Sequence, residues 1–388
     1  MKLNKPAKPK ILTVTRDVGG INAVLPVLRA LWFEDKVDIA VIADKFAADI
    51  LQRQNIVFRC KEDYGSGQDL PTLAEAILVS EQPTLVLTGT SVGANIEREV
   101  LFAAKSRGIP TLAVLDHWTN YSQRFEDHHS GEQFKYLPDQ LAVMDQLAKA
   151  AAEEAGIPGR QIIVTGQPYL DDIVASGARI EAEQVRQGLG VEKDELMIVF
   201  ASEPQTKDYG ADQNNPDFLG YTELDALALL ITALEEISGQ ISRELVLVVK
   251  LHPRETPDLL EPLLKQTKLK TILIKEISSR DLMVAAEVVT GMLSMFLIEA
   301  AYLGNIPLSI QPGARHQDNF VGNRVGLTLA AYNIEECKAQ LLKIIQDSAF
   351  VENWLSGIEQ RLHLDGNSAG RVTQLIYGQM GLQKEQGF

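Results

Sequence analysis

The sequence contains little cysteine and no long apolar run. Its two cysteines, Cys60 and Cys337, lie far apart and match neither a metal-ligand spacing nor a disulfide framework. No stretch of 18 apolar residues occurs, so we expect no transmembrane segment. Residues 1–10 are basic but lack the apolar core of a signal peptide. We therefore expect a cytoplasmic protein.

Positive charge is also scarce. The chain has 37 Lys and Arg against 52 Asp and Glu, a formal net charge of -15. Binding to nucleic acid depends on neutralising phosphates with basic side chains, so we expect no nucleic-acid partner. The length of 388 residues exceeds that of most single domains and predicts two.

Apolar runs alternate with helical patterns along the whole chain. This alternation predicts an α/β protein with parallel sheets, and we expect two Rossmann-like domains that face a cleft. The polar segment Glu203–Tyr221 is predicted to be a long loop or lid. The expected divisions are an N-terminal acceptor-side domain at 1–166, a C-terminal nucleotide-donor domain at 167–369, and a final helix and tail at 370–388.

Cationic side chains follow one of the predicted strands. Lys250, His252 and Arg254 come directly after the aliphatic run 244–249, at the carboxyl end of that strand. Ligands of open α/β sheets bind at such ends, and these residue types favour a phosphate. About forty residues later, Gly291 and Ser294 join another strand to a helix, and a helix N-terminus binds anions. Two phosphate-type sites predict a nucleotide or nucleotide-linked substrate.

Several motifs together resemble a known family. They are the turn Asp17–Gly20 followed by Pro26, the Lys250–Pro253 element, the run Ser294–Pro307 with its Glu299-Ala300-Ala301 and Leu303-Gly304, and Asp365-Gly366 followed by Arg371. In this order they resemble the GT-B glycosyltransferase fold. The resemblance is to the superfamily of UDP-N-acetylglucosamine 2-epimerase-like and CDP-glycerol glycerophosphotransferase-like enzymes.

The resemblance implies a nucleotide-linked sugar donor on the C-terminal domain. Gly19 and Gly20 are similar to the family's opening glycine loop. Ser294 either caps its helix or also binds phosphate. Glu299 lies on a mostly apolar helix, where a carboxylate requires a partner; it either binds the ribose hydroxyls or faces solvent. In the loop after Pro312, His316 and Gln317 are candidates for contact with the sugar or the acceptor.

An inverting transfer requires a general base beside the acceptor hydroxyl. Asp17, Asp116 and His117 follow predicted strands of the N-terminal domain and are the candidates. Alternatively, Asp17 caps the glycine turn and Asp116 orients the backbone. Arg124 binds an anionic acceptor or the donor pyrophosphate, or forms a surface salt bridge.

No metal or cofactor is predicted. His128 and His129 lie in a polar loop, and adjacent histidines do not easily present both rings to one ion. The sequence therefore favours a metal-independent glycosyltransferase that uses a nucleotide-sugar as substrate. Its acceptor is open.

Two alternatives remain. One is a 2-epimerase, which needs carboxylates for elimination and re-addition. The sequence has Gly89-Thr90-Ser91 and Leu115–Tyr121 where the family's carboxylate-bearing motifs would lie, and this counts against that activity. The other is a noncatalytic nucleotide-sugar-binding protein of the same fold.

Overall fold

The computed structural model describes residues 8–127, 129–361 and 365–382. It forms two compact units. Unit 1 comprises Met1–Asp172 and Leu364–Phe388, and unit 2 comprises Ile173–His363. The division therefore falls six residues beyond the expected position at 166, and the C-terminal helix, which we expected to stand apart, belongs to unit 1.

The sheet of unit 1 is built from six short strands, all parallel. Their residues are mostly aliphatic and mostly buried, because helices cover both faces of the sheet. The spatial order is β2-β1-β3-β4-β5-β6. The strands are β1 (Lys10–Thr15), β2 (Asp38–Ala43), β3 (Leu85–Thr88), β4 (Thr111–Val114), β5 (Gln140–Val143) and β6 (Ile162–Val164).

Alternate residues of these strands face the two helical layers. Ile11 packs in the layer that includes the first and last helices, whereas Leu12 packs in the opposite layer. The sequence predicts a helix over 21–32 with Pro26 near its first turns, but the first helix begins earlier, at Val18, so Pro26 lies in its middle. The helices are α1 (Val18–Glu34), α2 (Phe46–Arg53), α3 (Leu70–Glu81), α4 (Ile96–Ser106), α5 (Gln146–Glu154) and the C-terminal Ser368–Gln379, while α6 (Pro168–Gly177) contains the boundary between the two units.

Unit 2 repeats the design with a second parallel six-stranded sheet. Its spatial order is β12-β11-β10-β7-β8-β9. The strands are β7 (Leu196–Ala201), β8 (Leu245–Lys250), β9 (Lys270–Ile274), β10 (Val288–Gly291), β11 (Leu308–Ile310) and β12 (Leu329–Ala331). The sequence predicts strands at 197–201, 245–251, 271–275, 288–290 and 308–311, which match the first five, and it predicts no strand at β12. Two parallel-sheet α/β units confirm the expected fold class.

The segment Glu203–Tyr221 is not wholly a loop, because it contains a short helix, α8. The helix that follows it starts at a capping box, in which Thr222 and Asp225 each accept the other's backbone N–H. The helices of unit 2 are α7 (Ala182–Leu189), α8 (Gln205–Tyr209), α9 (Glu223–Ile237), α10 (Glu261–Leu264), α11 (Ser279–Ala285), α12 (Met295–Tyr302), α13 (Val321–Arg324), α14 (Ile334–Gln346) and α15 (Ser348–Arg361). The C-terminal helix of unit 1 is α16.

Each sheet has one point where the direction of chain progression reverses. In unit 1 the strands that follow β1 lie on both sides of it, so the reversal falls between β1 and β3. In unit 2 the same argument places it between β7 and β10. The crevice beyond the strand ends at such a reversal is the usual ligand position in this class of sheet. Within the described ranges, no helix has the length and apolar character needed to cross a bilayer.

Candidate functional site

The strand ends of unit 1 bring three of the sequence-predicted residues to one edge of the sheet. Asp17 follows β1, while Asp116 and His117 follow β4, and β3 lies between these two strands. Thr90, in the turn after β3, donates a hydrogen bond from Oγ1 to Asp116 Oδ1 at 3.0 Å. These side chains therefore line the carboxyl edge of β1, β3 and β4.

The turns after β1 and β3 approach each other closely, and this explains why glycines occupy positions 19, 20 and 89. A Cβ atom on Gly19 would lie 2.0 Å from Asp116 Oδ2, so a side chain there would displace the carboxylate. A Cβ on Gly89 would lie 2.6 Å from the Cα of Gly20. Gly19 thus makes room for Asp116, and Gly20 lets the turn after β1 pack against the turn after β3.

Arg124 is a buried internal cross-link, not a surface salt bridge. It is 5% exposed. Its NH1 donates to Asp116 Oδ1 at 2.6 Å and to the carbonyl of Thr90 at 2.6 Å, and its Nε donates to the carbonyl of Thr119 at 3.0 Å. Its charge is already compensated by Asp116, which leaves the expected contact with an acceptor or a pyrophosphate without support from the geometry.

Asp17 and His117 differ in how they are held. Asp17 occupies the N-cap position of α1, but its side chain makes no capping hydrogen bond. The capping alternative for Asp17 is therefore wrong. His117 is half-buried, and its Nδ1 lies 2.8 Å from Thr119 Oγ1. Burial lowers the pKa of His117 below its usual value, and the nearby Arg124 adds to this, while Asp116 opposes it. A neutral imidazole oriented by a hydroxyl is the result.

Glu97, which sequence reasoning missed, lies at the reversal point of unit 1. It is 1% exposed. One carboxylate oxygen accepts the backbone N–H of Arg16 at 2.9 Å and the other accepts that of Ser91 at 2.9 Å. Burial raises the pKa of Glu97 to about 7, with smaller contributions from the charges of Asp17 and Asp116. Glu97 joins the ends of β1 and β3 beneath the candidate residues.

In unit 2, Lys250 is the last residue of β8 and His252 lies in the turn that follows it, and both are half-buried. His252 Nδ1 accepts the backbone N–H of Arg254 at 3.1 Å. The proton of a neutral ring is therefore on Nε2, which becomes a donor. Burial lowers the pKa of Lys250, and burial with the charges of Arg254 and Lys250 lowers the pKa of His252. Among the described residues, the Lys250 ammonium has no hydrogen-bond or ion-pair partner in the structure.

The other charged groups in this loop are engaged. Arg254 forms a two-pronged ion pair with Asp208, so it is bound to a carboxylate rather than held ready for a phosphate. Glu255 accepts the hydroxyl of Ser202 at 2.7 Å and the backbone N–H of His252 at 2.7 Å. Burial raises the pKa of Glu255. Glu255 fixes the backbone of the Lys250–Glu255 turn.

The turn after β10 contains Gly291 and Ser294. Gly291 is buried, and a Cβ there would lie 3.2 Å from the carbonyl oxygen of Ala201, so the turn packs closely on β7. Ser294 caps α12 by accepting the backbone N–H of Phe296 at 3.2 Å. This supports the capping role of Ser294 and leaves a phosphate role open.

A carboxylate occupies the amides of the same turn. Glu203 Oε1 accepts the backbone N–H groups of Met292 at 3.2 Å and Leu293 at 2.8 Å. Burial raises the pKa of Glu203 to about 7, although those amides act in the opposite direction. Glu203 follows β7 and reaches the end of β10, so it lies at the reversal point of unit 2. Sequence reasoning placed Glu203 only at the start of a polar segment.

The remaining candidates lie farther along unit 2. Glu299 is half-buried inside α12, and His316 and Gln317 are exposed in the loop between β11 and α13. His128 is outside the described residues, whereas His129 is exposed. Within the described part of the chain, no cluster of three or more His, Cys, Asp or Glu side chains is arranged to hold a metal ion.

Comparisons with known proteins define the fold. No family model matches the chain, and none of the curated proteins matches it. Solved structures do. UDP-GlcNAc 2-epimerase from Neisseria meningitidis, bound to UDP-GlcNAc, aligns with a TM-score of 0.64 at 15% identity, over 95% of this chain and 100% of that one. UDP-GlcNAc 2-epimerase from Methanocaldococcus jannaschii aligns with a TM-score of 0.68 at 16% identity, over 95% and 99%.

A glycosyltransferase shares the same architecture. The glycotransferase of kitacinnamycin aligns with a TM-score of 0.63 at 12% identity, over 97% of this chain and 100% of that one. Two parallel six-stranded α/β units and these alignments over nearly the whole chain show that the chain has a GT-B-like fold. The resemblance found in the sequence is thereby confirmed at the level of the fold.

Proposed function

We propose that this protein is a GT-B-type glycosyltransferase that uses a nucleotide-linked sugar as donor. The observation that carries the proposal is the pair formed by Lys250 and His252 at the carboxyl end of β8. One supplies an ammonium with no partner among the described residues, and the other supplies a fixed Nε2–H donor. Both are suited to the oxygens of a leaving phosphate, where stabilisation of developing charge lowers the barrier most.

In this proposal the general base is His117. A base must be unprotonated near neutral pH, and the lowered pKa of His117 provides this. The proposal assigns the tautomer in which Nδ1–H donates to Thr119 Oγ1, which leaves Nε2 as the proton acceptor. Asp116 suits the role less because Oδ1 is already bound to Arg124 and Thr90. Asp17 remains the alternative base, since its carboxylate caps nothing.

The competing activity is 2-epimerisation of UDP-N-acetylglucosamine. One observation favours it: the charges of Asp17 and Asp116 both act on buried Glu97. Three carboxyl groups therefore lie at one edge of the sheet, although the positions of the family's motifs carry no carboxylate. Elimination and re-addition require such groups. Glu97, however, uses both of its oxygens to hold the backbone of unit 1, so it does not face a substrate.

The test uses UDP-N-acetylglucosamine and UDP-glucose in deuterated water. We expect binding by calorimetry, slow release of UDP with water as acceptor, and no deuterium at C2 of the sugar. His117→Ala should lower release by about 10²- to 10⁴-fold with little change in binding. His252→Ala should weaken binding by about 1.5–3 kcal/mol, the range for a hydrogen bond to a charged group.

His129→Ala is the matched control, because it removes an exposed histidine from unit 1. Deuterium at C2 would assign the protein to the epimerases. Binding without release of UDP in the presence of varied acceptors would favour the noncatalytic nucleotide-sugar-binding protein. Absence of binding to any UDP, CDP, GDP or CMP ligand would remove the donor from the proposal.

A further inference from the structure

The amides at the start of α12 are already bound to an internal anion. Glu203 Oε1 accepts the N–H groups of Met292 and Leu293, and these groups stand at the reversal point between β7 and β10. This is the place where backbone donors and the helix dipole together favour an external anion. In this structure the protein satisfies them with its own carboxylate.

A ligand phosphate and an ionised Glu203 compete for the same donors. Two like charges side by side repel each other strongly at the effective dielectric near a protein surface. Glu255 adds to the negative charge here, because its carboxylate already contributes to the raised pKa of Glu203. Binding of a phosphate at Met292 and Leu293 therefore requires the carboxylate to leave.

The surroundings of Glu203 contain polar atoms that lack partners. Among the described residues, no hydrogen bond reaches Gln205 Oε1 or the hydroxyl of Tyr221, and both side chains are buried. Burial, and then the charge of Glu203, raise the pKa of Tyr221. Buried polar groups without partners are uncommon in settled structures. Gln205 Oε1 and the Tyr221 hydroxyl therefore have unused hydrogen-bonding capacity close to Glu203.

We propose that Glu203 is a displaceable internal anion, and that the diphosphate of the donor replaces its carboxylate at the amides of Met292 and Leu293. The proposal rests on the proposed function for the nature of the ligand. Lys250 and His252 would then hold further oxygens of the same diphosphate. Release of Glu203 removes one anchor of the segment that carries α8, so donor binding loosens this segment although the Asp208–Arg254 ion pair remains.

The direct test is Glu203→Gln, which keeps the shape of the side chain and removes its charge. The probes are inorganic pyrophosphate and UDP, measured by calorimetry. We expect Glu203→Gln to bind both about 10- to 100-fold more tightly than the wild type, the free-energy range of one charge-assisted hydrogen bond. The control is Glu261→Gln, an equal change of charge on α10, which corrects for the net charge of -15. Equal or weaker binding by Glu203→Gln would overturn the proposal.

A second measurement needs no variant. Hydrogen exchange of the wild-type amides in α8 should become faster when pyrophosphate is saturating, because Glu203 no longer anchors the segment. Most ligands slow exchange near their site, so acceleration is diagnostic. Unchanged or slower exchange in α8 would contradict displacement even if Glu203→Gln does not fold.

The outcomes separate this inference from the proposed function. If pyrophosphate binds more tightly to Glu203→Gln but no nucleotide binds, the internal anion is supported and the nucleotide donor fails. If UDP binds equally to both Glu→Gln variants, the donor stands and displacement fails. If neither probe binds any form of the protein, both ideas fail.

Discussion

The buried carboxyl group of Glu97 predicts a pH-dependent stability that a single substitution removes. Its pKa in the folded protein is about 7, against an ordinary value of 4.5, chiefly because of burial. The folded state therefore holds a proton between these values that the unfolded state has lost. Stability falls as pH rises through this window, and the loss is complete above the folded pKa.

The size of the effect follows from the two pKa values. Each pH unit between 4.5 and about 7 corresponds to about 1.4 kcal/mol, which gives about 3 kcal/mol in total. At 1% exposure, solvent screening reduces this little. Glu97→Gln does not ionise, so its stability should lack this term. It should also lose one accepted backbone N–H, a constant penalty of about 1–3 kcal/mol.

The assay is urea unfolding at several pH values from 4.5 to 8. Trp354→Phe is used as background, because the remaining tryptophans, Trp32 and Trp118, both report on unit 1. The stability of the wild type relative to Glu97→Gln should fall by about 3 kcal/mol as pH rises to about 7, and then stay constant. Glu203 is present in both proteins, so its own pH-dependent contribution to stability cancels in the comparison.

Glu75→Gln serves as control, because Glu75 is an exposed carboxylate of the same unit. Its curve should run parallel to that of the wild type. If the Glu97→Gln curve also runs parallel, Glu97 ionises normally in the folded protein and the account of a buried, backbone-holding carboxyl is refuted.

Two further predictions concern the candidate site. Gly19→Ala should destabilise the protein by about 1–3 kcal/mol, because the new Cβ meets the Asp116 carboxylate. The same change should destabilise an Asp116→Ala background clearly less. Equal losses of stability in the two backgrounds, measured by urea unfolding, would show that Asp116 is not the obstacle. Lys250→Met should weaken UDP binding by about 1.5–3 kcal/mol and reduce the salt dependence of binding, both measured by calorimetry. Lys268→Met, which removes an equal charge from the surface, should leave the affinity for UDP nearly unchanged. Similar behaviour of the two variants would remove Lys250 from the phosphate site.

The sequence by itself determined the fold class, most of the strands, and the position of the cationic turn. These features depend on local pattern. Apolar runs such as 245–249 make buried parallel strands whatever their neighbours are, and the end of such a run fixes where Lys250 and His252 emerge. Full-length similarity to GT-B structures shows that these local signals were sufficient for the architecture.

Only the tertiary structure decided which charged groups are free and which are engaged. Arg124 and Arg254 look alike in the sequence, yet each is neutralised by a carboxylate, Asp116 for the first and Asp208 for the second. A partner of this kind comes from a different part of the chain, so no local pattern reports it.

The two most perturbed carboxyl groups at the sheet edges were hidden for the same reason. Glu97 reads as an acidic residue in the first turn of a helix, and Glu203 reads as the start of a polar segment. Glu97 is buried and Glu203 is half-buried because strands that are distant in sequence are neighbours in the sheet: β1 beside β3, and β7 beside β10. Sheet order is set by packing of the whole unit, and burial follows from that order. The sequence supplied the carboxylates, and the fold alone decided that they would span the reversal points.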